Sequence, residues 1–320
     1  MISCDTLNLV WGLLRHPQDS VYAALRQWKR SLNIEREELV EKFHQVRNLA
    51  LSLPADEATN YAEEIDFLRN ADLEDTDSFV FPYRIVGSRR DSECSYDKKR
   101  RLPYVVHQGN RLYFCHETSL DKVKKAYLNF VEKEGILGSG ILKKSPHAYV
   151  TDNFKVEPGD TIIDVGCSEG LFTLDNIELA RRAYVFESQR RWRKPLEATF
   201  GRFKDKVTII NKFVGSKTSR TSVRLSDVLT QRDSFERFFV KMDIEGGERD
   251  VLDSSRDFLL NNKVKLVCCV YHRQGDEQYI VPRLKDMGFS VAVSPGYMLV
   301  PMGGIRYPYF RHGVVYASNY

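Results

Sequence analysis

The rhythm of apolar and polar positions changes twice along the chain. Over residues 5–75 the runs LNLVWGLL, VYAALRQWKRSL, EREELVEKFHQVRNLALSL and EATNYAEEIDFLRNA space their apolar residues three to four apart. That is the period of a helix buried on one face. Asp19-Ser20 offers the second helix an N-cap, and the acidic stretch Asp72–Asp77 closes the region. Two strand-like runs follow, SFVFPYRIVG and PYVVHQGNRLYFCHE, separated by a basic, polar loop over 88–101. The tripeptide QGN lies between apolar runs, so 104–116 reads as a hairpin. Ser119 then caps a helix over LDKVKKAYLNFVEKEG.

From about residue 146 short apolar runs alternate with helical stretches: TIIDVG, AYVFES, VTIINKFVG, FFVKMDIEG, KLVCCVYH, FSVAVS and HGVVYAS. The first of these are continuously apolar, as strands covered on both faces must be. The pattern predicts an α/β fold with an open, doubly wound parallel sheet over 146–320. Residues 1–145 form a helical and small β accessory region before it. In such sheets ligands sit beyond the carboxyl ends of the strands, which is where chemistry is sought.

Composition narrows the class. The 320 residues carry 48 Lys+Arg against 44 Asp+Glu, and 42% are hydrophobic, which excludes wholesale disorder and collagen-like repeats. No apolar run reaches the roughly 18 residues of a membrane span, and the first twenty residues make a poor signal peptide. The six cysteines have no metal-ligand spacing, and no metal ligand set is assigned; free thiols in a reducing cytoplasm are expected. Cys268 and Cys269 point to opposite faces if they lie on a strand. Charge is uneven: residues 1–78 hold 15 acidic and 8 basic side chains, whereas 84–111 hold eight basic and three acidic, and 181–194 six basic and one acidic. The basic patches suit phosphates or anionic glycans. Interleaved aromatics are sparse, so a nucleic-acid partner is not expected. The acidic N-terminal helices are a candidate surface for a homodimer or a docking partner.

Chemistry concentrates after the first strand. In DVGCSEGLFT, Gly166 and Gly170 permit a tight turn and close ligand approach, and the next helix presents free N–H groups. Three readings compete here. One is a nucleoside-cofactor turn formed by Asp164, Gly166, Cys167, Ser168, Glu169 and Gly170. A second is a hydrolase elbow, because GCSEG matches G-x-S-x-G with Ser168 as nucleophile. The third is a turn without a ligand. The elbow lacks the strands that should precede it, and a G-x-G-x-x-G dinucleotide fingerprint is absent. The second strand ends in Glu187, 23 residues after Asp164, the position of a carboxylate that accepts ribose hydroxyls.

DVGCSEGLFTL, VFES and above all FFVKMDIEGGERDVL resemble the FkbM-type S-adenosylmethionine-dependent methyltransferases, as do VYHRQGDE and YFRHGVVYA further on. The likeness covers roughly 145–320. Cys167 and Ser168 stand where the family usually has alanine and asparagine, and Ser188 where proline is common. The resemblance implies a class I methyltransferase fold of seven strands, the last antiparallel. It also implies S-adenosylmethionine as cofactor, usually with O-methylation of a sugar, glycan or natural-product hydroxyl. An RNA or protein methyltransferase, or a non-catalytic assembly protein, is the alternative.

Asp243, Glu245 and Glu248 gather at the end of the fourth strand. Asp243 and Glu245 suit holding the methionine ammonium, binding a cation or accepting a proton. His272, near the end of the fifth, has an ordinary pKa suited to a base at neutral pH. Glu187 and Ser188 are expected at the ribose, and Phe213 with Val214 at the adenine. His147 and Tyr149 are candidates to close over the cofactor, and His312 is a weaker candidate. Residues 79–116 and 294–312 are expected to shape the acceptor site.

Overall fold

The computed structural model describes residues 36–71, 80–229, 236–300, 307 and 309–320. The two helices expected before residue 35 and the acidic stretch Asp72–Asp77 lie outside the described residues. Helix α1 (Arg36–Leu51) follows the expected periodicity. The next stretch is broken rather than continuous: a turn at Ala55–Ala58 and a 3-10 turn at Thr59–Tyr61 lead into α2 (Ala62–Asn70).

The run at 81–85 is not a strand. Phe81, Pro82 and Tyr83 are buried in succession without strand pairing, and only Ile85 makes a bridge, to Leu142. A strand forms instead inside the loop read as polar: β1 (Cys94–Asp97) pairs antiparallel with β2 (Leu102–His107), which pairs with β3 (Asn110–Tyr113). Backbone pairing to β2 decides this, not side-chain hydrophobicity. Gln108 and Gly109 both take positive φ, making the tight hairpin turn that QGN predicts. Ser119 accepts a bond from Lys122 N at the start of α3 (Leu120–Leu128), which continues as a π turn, Asn129–Lys133.

The second half builds β4 (Thr161–Val165), α4 (Leu171–Asn176), β5 (Arg182–Phe186), α5 (Arg193–Thr199), β6 (Val207–Ile210), the short parallel pair β7 (Phe213–Val214) and β8 (Ser222–Val223), β9 (Arg237–Met242), α6 (Glu248–Ser254), α7 (Arg256–Asn261), β10 (Lys263–Cys269), α8 (Asp276–Asp286), β11 (Ser290–Val293), β12 (Met298–Leu299), β13 (Phe310–Arg311) and β14 (Val314–Ser318). The seven-stranded sheet runs β6-β5-β4-β9-β10-β14-β11. β14 is antiparallel to both its neighbours, and the other pairs are parallel. Seven strands with the last one antiparallel are what the sequence led us to expect.

Alternation along each strand sorts the core into two layers. Ile162, Phe239, Val267, Cys269, Val314 and Tyr316 face the layer holding α4, α5 and the small sheet. Ile163, Val240, Leu266, Cys268 and Val315 face the layer holding α6, α7 and α8. Cys268 and Cys269 therefore do point oppositely, and the five cysteines among the described residues are free.

A third cluster joins α1 and α2 (Phe43, Val46, Ala50, Ile65, Leu68) to Leu299 and Phe310 of β12 and β13. Tyr83 donates to the buried Glu64 carboxylate of α2 and accepts from Tyr297 N, 2.5 Å away. The described N-terminal helices thus spend their apolar face within the chain. The rest of the stretch expected to form a dimer or docking surface lies outside the described residues. Among those described, no helix is long and apolar enough to cross a membrane.

Candidate active site

The glycine turn is closed by backbone bonds. Gly166 N and Cys167 N both donate to Phe186 O, and Gly170 N donates to Cys167 O. This stitches the end of β4 to the end of β5. Gly166 has φ +81°, and a Cβ placed on it would lie 1.9 Å from the Asp243 carbonyl oxygen. Only glycine permits that approach of β4 to the end of β9.

A cleft opens at these strand ends. It is lined by Gly166 and Ser168 of the turn, Glu187, Ser188 and Gln189 after β5, Arg191, Lys212, Phe213 and Val214, and Asp243, Ile244 and Glu245 after β9. Most residues expected at a cofactor therefore converge. Glu187 is buried; its two oxygens accept from Ser168 N at 3.1 Å and Gln189 N at 2.7 Å. A carboxylate offers about four lone-pair sites, so it can still receive ligand hydroxyls. Asn211 is a buttress, donating to Glu187 O.

Four expected residues sit behind the cleft rather than in its wall. Asp164 is fully buried, accepts from Thr173 Oγ1 at 2.8 Å and faces Lys241 Nζ at 3.2 Å. Cys167 and Glu169 turn inward. Gly170 packs so closely on Phe200 that a Cβ would come within 2.8 Å of the ring. Burial pushes the Glu169 carboxyl up to about 7, with Lys241 opposing. The folded state then holds this proton more tightly than the unfolded chain. Stability is full below about pH 4.5 and is lost as pH rises to about 7. Glu169→Gln should remove that loss, gaining about 3 kcal/mol over wild type at pH 8 and little at pH 4. Urea titrations at both pH values check it, and equal gains at both would contradict it.

Lys241 is the residue the sequence reading passed over. Buried in β9, it donates to Gly166 O at 2.7 Å and lies 5.0 Å over the Tyr149 ring. Burial disfavours its charge, but Asp164 and Asp243 outweigh this and hold it above the ordinary lysine range. Its signal was present in sequence: a lone lysine inside the apolar run FFVKM has to find a buried partner.

Asp243 is the hub. Its Oδ2 accepts from Tyr149 OH at 2.6 Å and stands 3.7 Å from His147 Nε2; its Oδ1 is 3.4 Å from His272 Nε2. Burial would raise its pKa, but Lys241, His272 and His147 hold it well below the usual carboxylate range. His147 is braced by Glu134 at 2.8 Å. His147 and Tyr149 thus reach Asp243 from beneath, buried and outside the cleft wall, rather than closing over it.

His272 corrects an expectation. Burial alone would lower its pKa, but Glu248, 2.9 Å from Nδ1, with Asp243 and Glu245, raises it to about 9. These carboxylates favour the protonated ring, against the neutral base expected from the sequence. His312 pairs with Glu277 and lines a separate hollow with Tyr61 and Tyr297. Ser168 has φ +50°, as an elbow nucleophile would, but among the described residues no histidine is hydrogen-bonded to it. The hydrolase reading lacks its base.

No family model matches the chain, and no curated protein matches it. Solved structures do resemble it over about half its length. One is a methyltransferase FkbM from Methylobacillus flagellatus KT, 21% identical, covering 52% of this chain and 45% of its own at a TM-score of 0.41. Another is a precorrin-6y C5,15-methyltransferase from Geobacter metallireducens GS-15, 18% identical, covering 51% and 79% at 0.34. A third is a candidate tRNA (m1A22) methyltransferase from Streptococcus pneumoniae in complex with S-adenosyl-L-methionine, 14% identical, covering 51% and 67% at 0.35. The chain spans less than half the length of the first.

A second hollow adjoins the cleft. Tyr96, Arg100, Arg101, His116, Arg191 and Lys194 line it, and Arg191 lines both. The two basic stretches recognised in the sequence meet here. Among the described residues, none of Arg100, Arg101, Arg191 and Lys194 makes an ion pair.

Proposed function

We propose that the protein is an S-adenosylmethionine-dependent O-methyltransferase acting on a hydroxyl of a sugar, glycan or natural-product acceptor. The observation that carries this reading is the convergence of the Gly166 turn, Glu187 and Asp243 on one cleft at the carboxyl ends of adjacent parallel strands. The donor set fits the cofactor. Glu187 would hold the ribose hydroxyls, Phe213 and Val214 the adenine, and Asp243 the methionine ammonium. When bound, the cofactor supplies an electrophilic methyl group on a sulfonium. The chain's own residues do the rest. Asp243, kept ionised by its cationic neighbours, orients what binds beside it. Glu245, in the cleft wall and 28% exposed, would carry the acceptor's proton to water.

The hollow beyond Arg191 supports an acceptor bearing an anionic group. The same cations favour one second reading, methylation of RNA, which an acceptor screen with nucleotide sugars, acidic glycans and RNA oligomers separates. The free thiols support a reducing, cytoplasmic setting.

The test is calorimetric titration with S-adenosylmethionine and S-adenosylhomocysteine. Wild type should bind both. Glu187→Ala should bind roughly 10- to 100-fold more weakly, the worth of one or two hydrogen bonds to a charged group. Absence of binding by folded wild type would overturn the reading.

A further inference from the structure

The hollow beside the cleft is walled by charge of one sign. Arg100, Arg101, Arg191 and Lys194, with His116, are its titratable cations, and among the described residues no carboxylate lines it. It encloses about 340 Å3, inside the range of small-molecule sites, about 300–1,000 Å3.

Ordered backbone holds these cations together. Arg100 and Arg101 sit on the turn joining β1 to β2, which Arg101 N closes by donating to Asp97 O at 2.7 Å and Arg100 N by donating to Asp97 Oδ1 at 3.0 Å. Arg191 lies in the 3-10 turn before α5, its guanidinium 5.6 Å over the Trp192 ring, and Lys194 is in the first turn of α5. Tyr113 N of β3 donates to Thr199 Oγ1 at 3.0 Å, tying the small sheet to α5. Two basic stretches distant in sequence are thereby fixed around one space. The carboxylates nearby in the chain are engaged. Asp97 pairs with Arg111 at 3.5 Å and accepts from Tyr113 OH at 2.9 Å, and Glu117 pairs with His116 at 2.8 Å.

A concave wall of one sign focuses its field on an ion of the other. Arginine forks match phosphoryl oxygens two at a time. Three arginines and a lysine exceed the charge of a single carboxylate and suit a phosphoryl or pyrophosphoryl group. We propose that this hollow binds the phosphoryl or pyrophosphoryl group of a phosphorylated small molecule, of the nucleoside diphosphate or sugar phosphate class. Arg191 lines both spaces, so a ligand anchored here adjoins the cleft. Calling that ligand the methyl acceptor rests on the methyl-transfer reading; the anion binding does not. An RNA backbone shares the phosphoryl chemistry, but single strands are held on rows of stacking rings. Tyr104 and Tyr113 of the small sheet are buried, and Tyr96 is the one aromatic residue in the wall.

The experiment is calorimetric titration with pyrophosphate and with uridine diphosphate in about 0.15 M salt, where diffuse surface attraction is largely screened. Wild type should bind one molecule per chain. Arg101→Gln and Lys194→Gln, at residues that line the hollow and not the cleft, should each weaken binding about 10- to 100-fold, the loss of a charge-assisted hydrogen bond. Lys99→Gln removes the same charge from the same turn but outside the wall, and should change binding less than about twofold. All three side chains are exposed, so the fold should persist, and circular dichroism checks it. Failure of wild type to bind either probe, or equal weakening by Lys99→Gln, overturns the site. An RNA oligomer that binds more tightly than both probes, with Lys99→Gln as damaging to it as Arg101→Gln, would overturn the small-molecule assignment. Probe binding without S-adenosylhomocysteine binding would instead sink the methyl-transfer reading and leave the anion site standing; the reverse result would sink the anion site alone.

Discussion

Gly166→Ala should be the most damaging single-methyl change in the chain. The added Cβ would sit 1.9 Å from the Asp243 carbonyl oxygen, far inside van der Waals contact, so β4 and the end of β9 must part by more than an ångström. Positive φ adds about 1–2 kcal/mol of strain. Both act where the turn, Lys241 and Asp243 meet, since Lys241 bonds the Gly166 carbonyl. We expect a stability loss of about 3 kcal/mol or more and S-adenosylhomocysteine binding weakened roughly 100-fold, the effect of an ångström-scale misplacement. Urea titration and calorimetry read the two effects. Near-wild-type affinity would mean that the turn and β9 do not pack as described.

Lys241→Met should cost about 3–5 kcal/mol, because it leaves Asp164 a buried, uncompensated carboxylate and removes the charge that does most to keep Asp243 ionised. The double variant Lys241→Met with Asp164→Asn should recover part of that loss, since no buried charge is then stranded at Asp164. Purely additive losses in the double variant would show that the pair is not coupled. Methionine preserves the length of the side chain, so the loss reports charge rather than a cavity.

The seven strands and the doubly wound architecture were legible because the first strands of the second half are apolar runs, and a helix separates most of them. The cleft was legible in part, because glycines and strand-end carboxylates mark where backbones turn toward a ligand. What was not legible is informative. β1 carries CSYD, with no apolar alternation, and exists because β2 offers it an edge. Asp164 reads as a ligand contact by motif, yet the fold encloses it with Lys241 and Thr173. His272 reads as a neutral base until Glu248, which lies 24 positions away, is brought to its ring. Each miss is a long-range contact, which local spacing cannot encode.

The third hydrophobic cluster has an evolutionary corollary. The segment between β11 and β14 supplies Leu299 and Phe310 to a core completed by Phe43, Val46 and Leu68 from the beginning of the described chain. The Tyr61 ring stacks on Phe310 at 4.6 Å. A lineage that rebuilds this late segment must therefore adjust the early helices in step. In a set of close homologues, these two distant stretches should be inherited as a matched pair, exchanging volume across the contact while the glycine turn stays fixed.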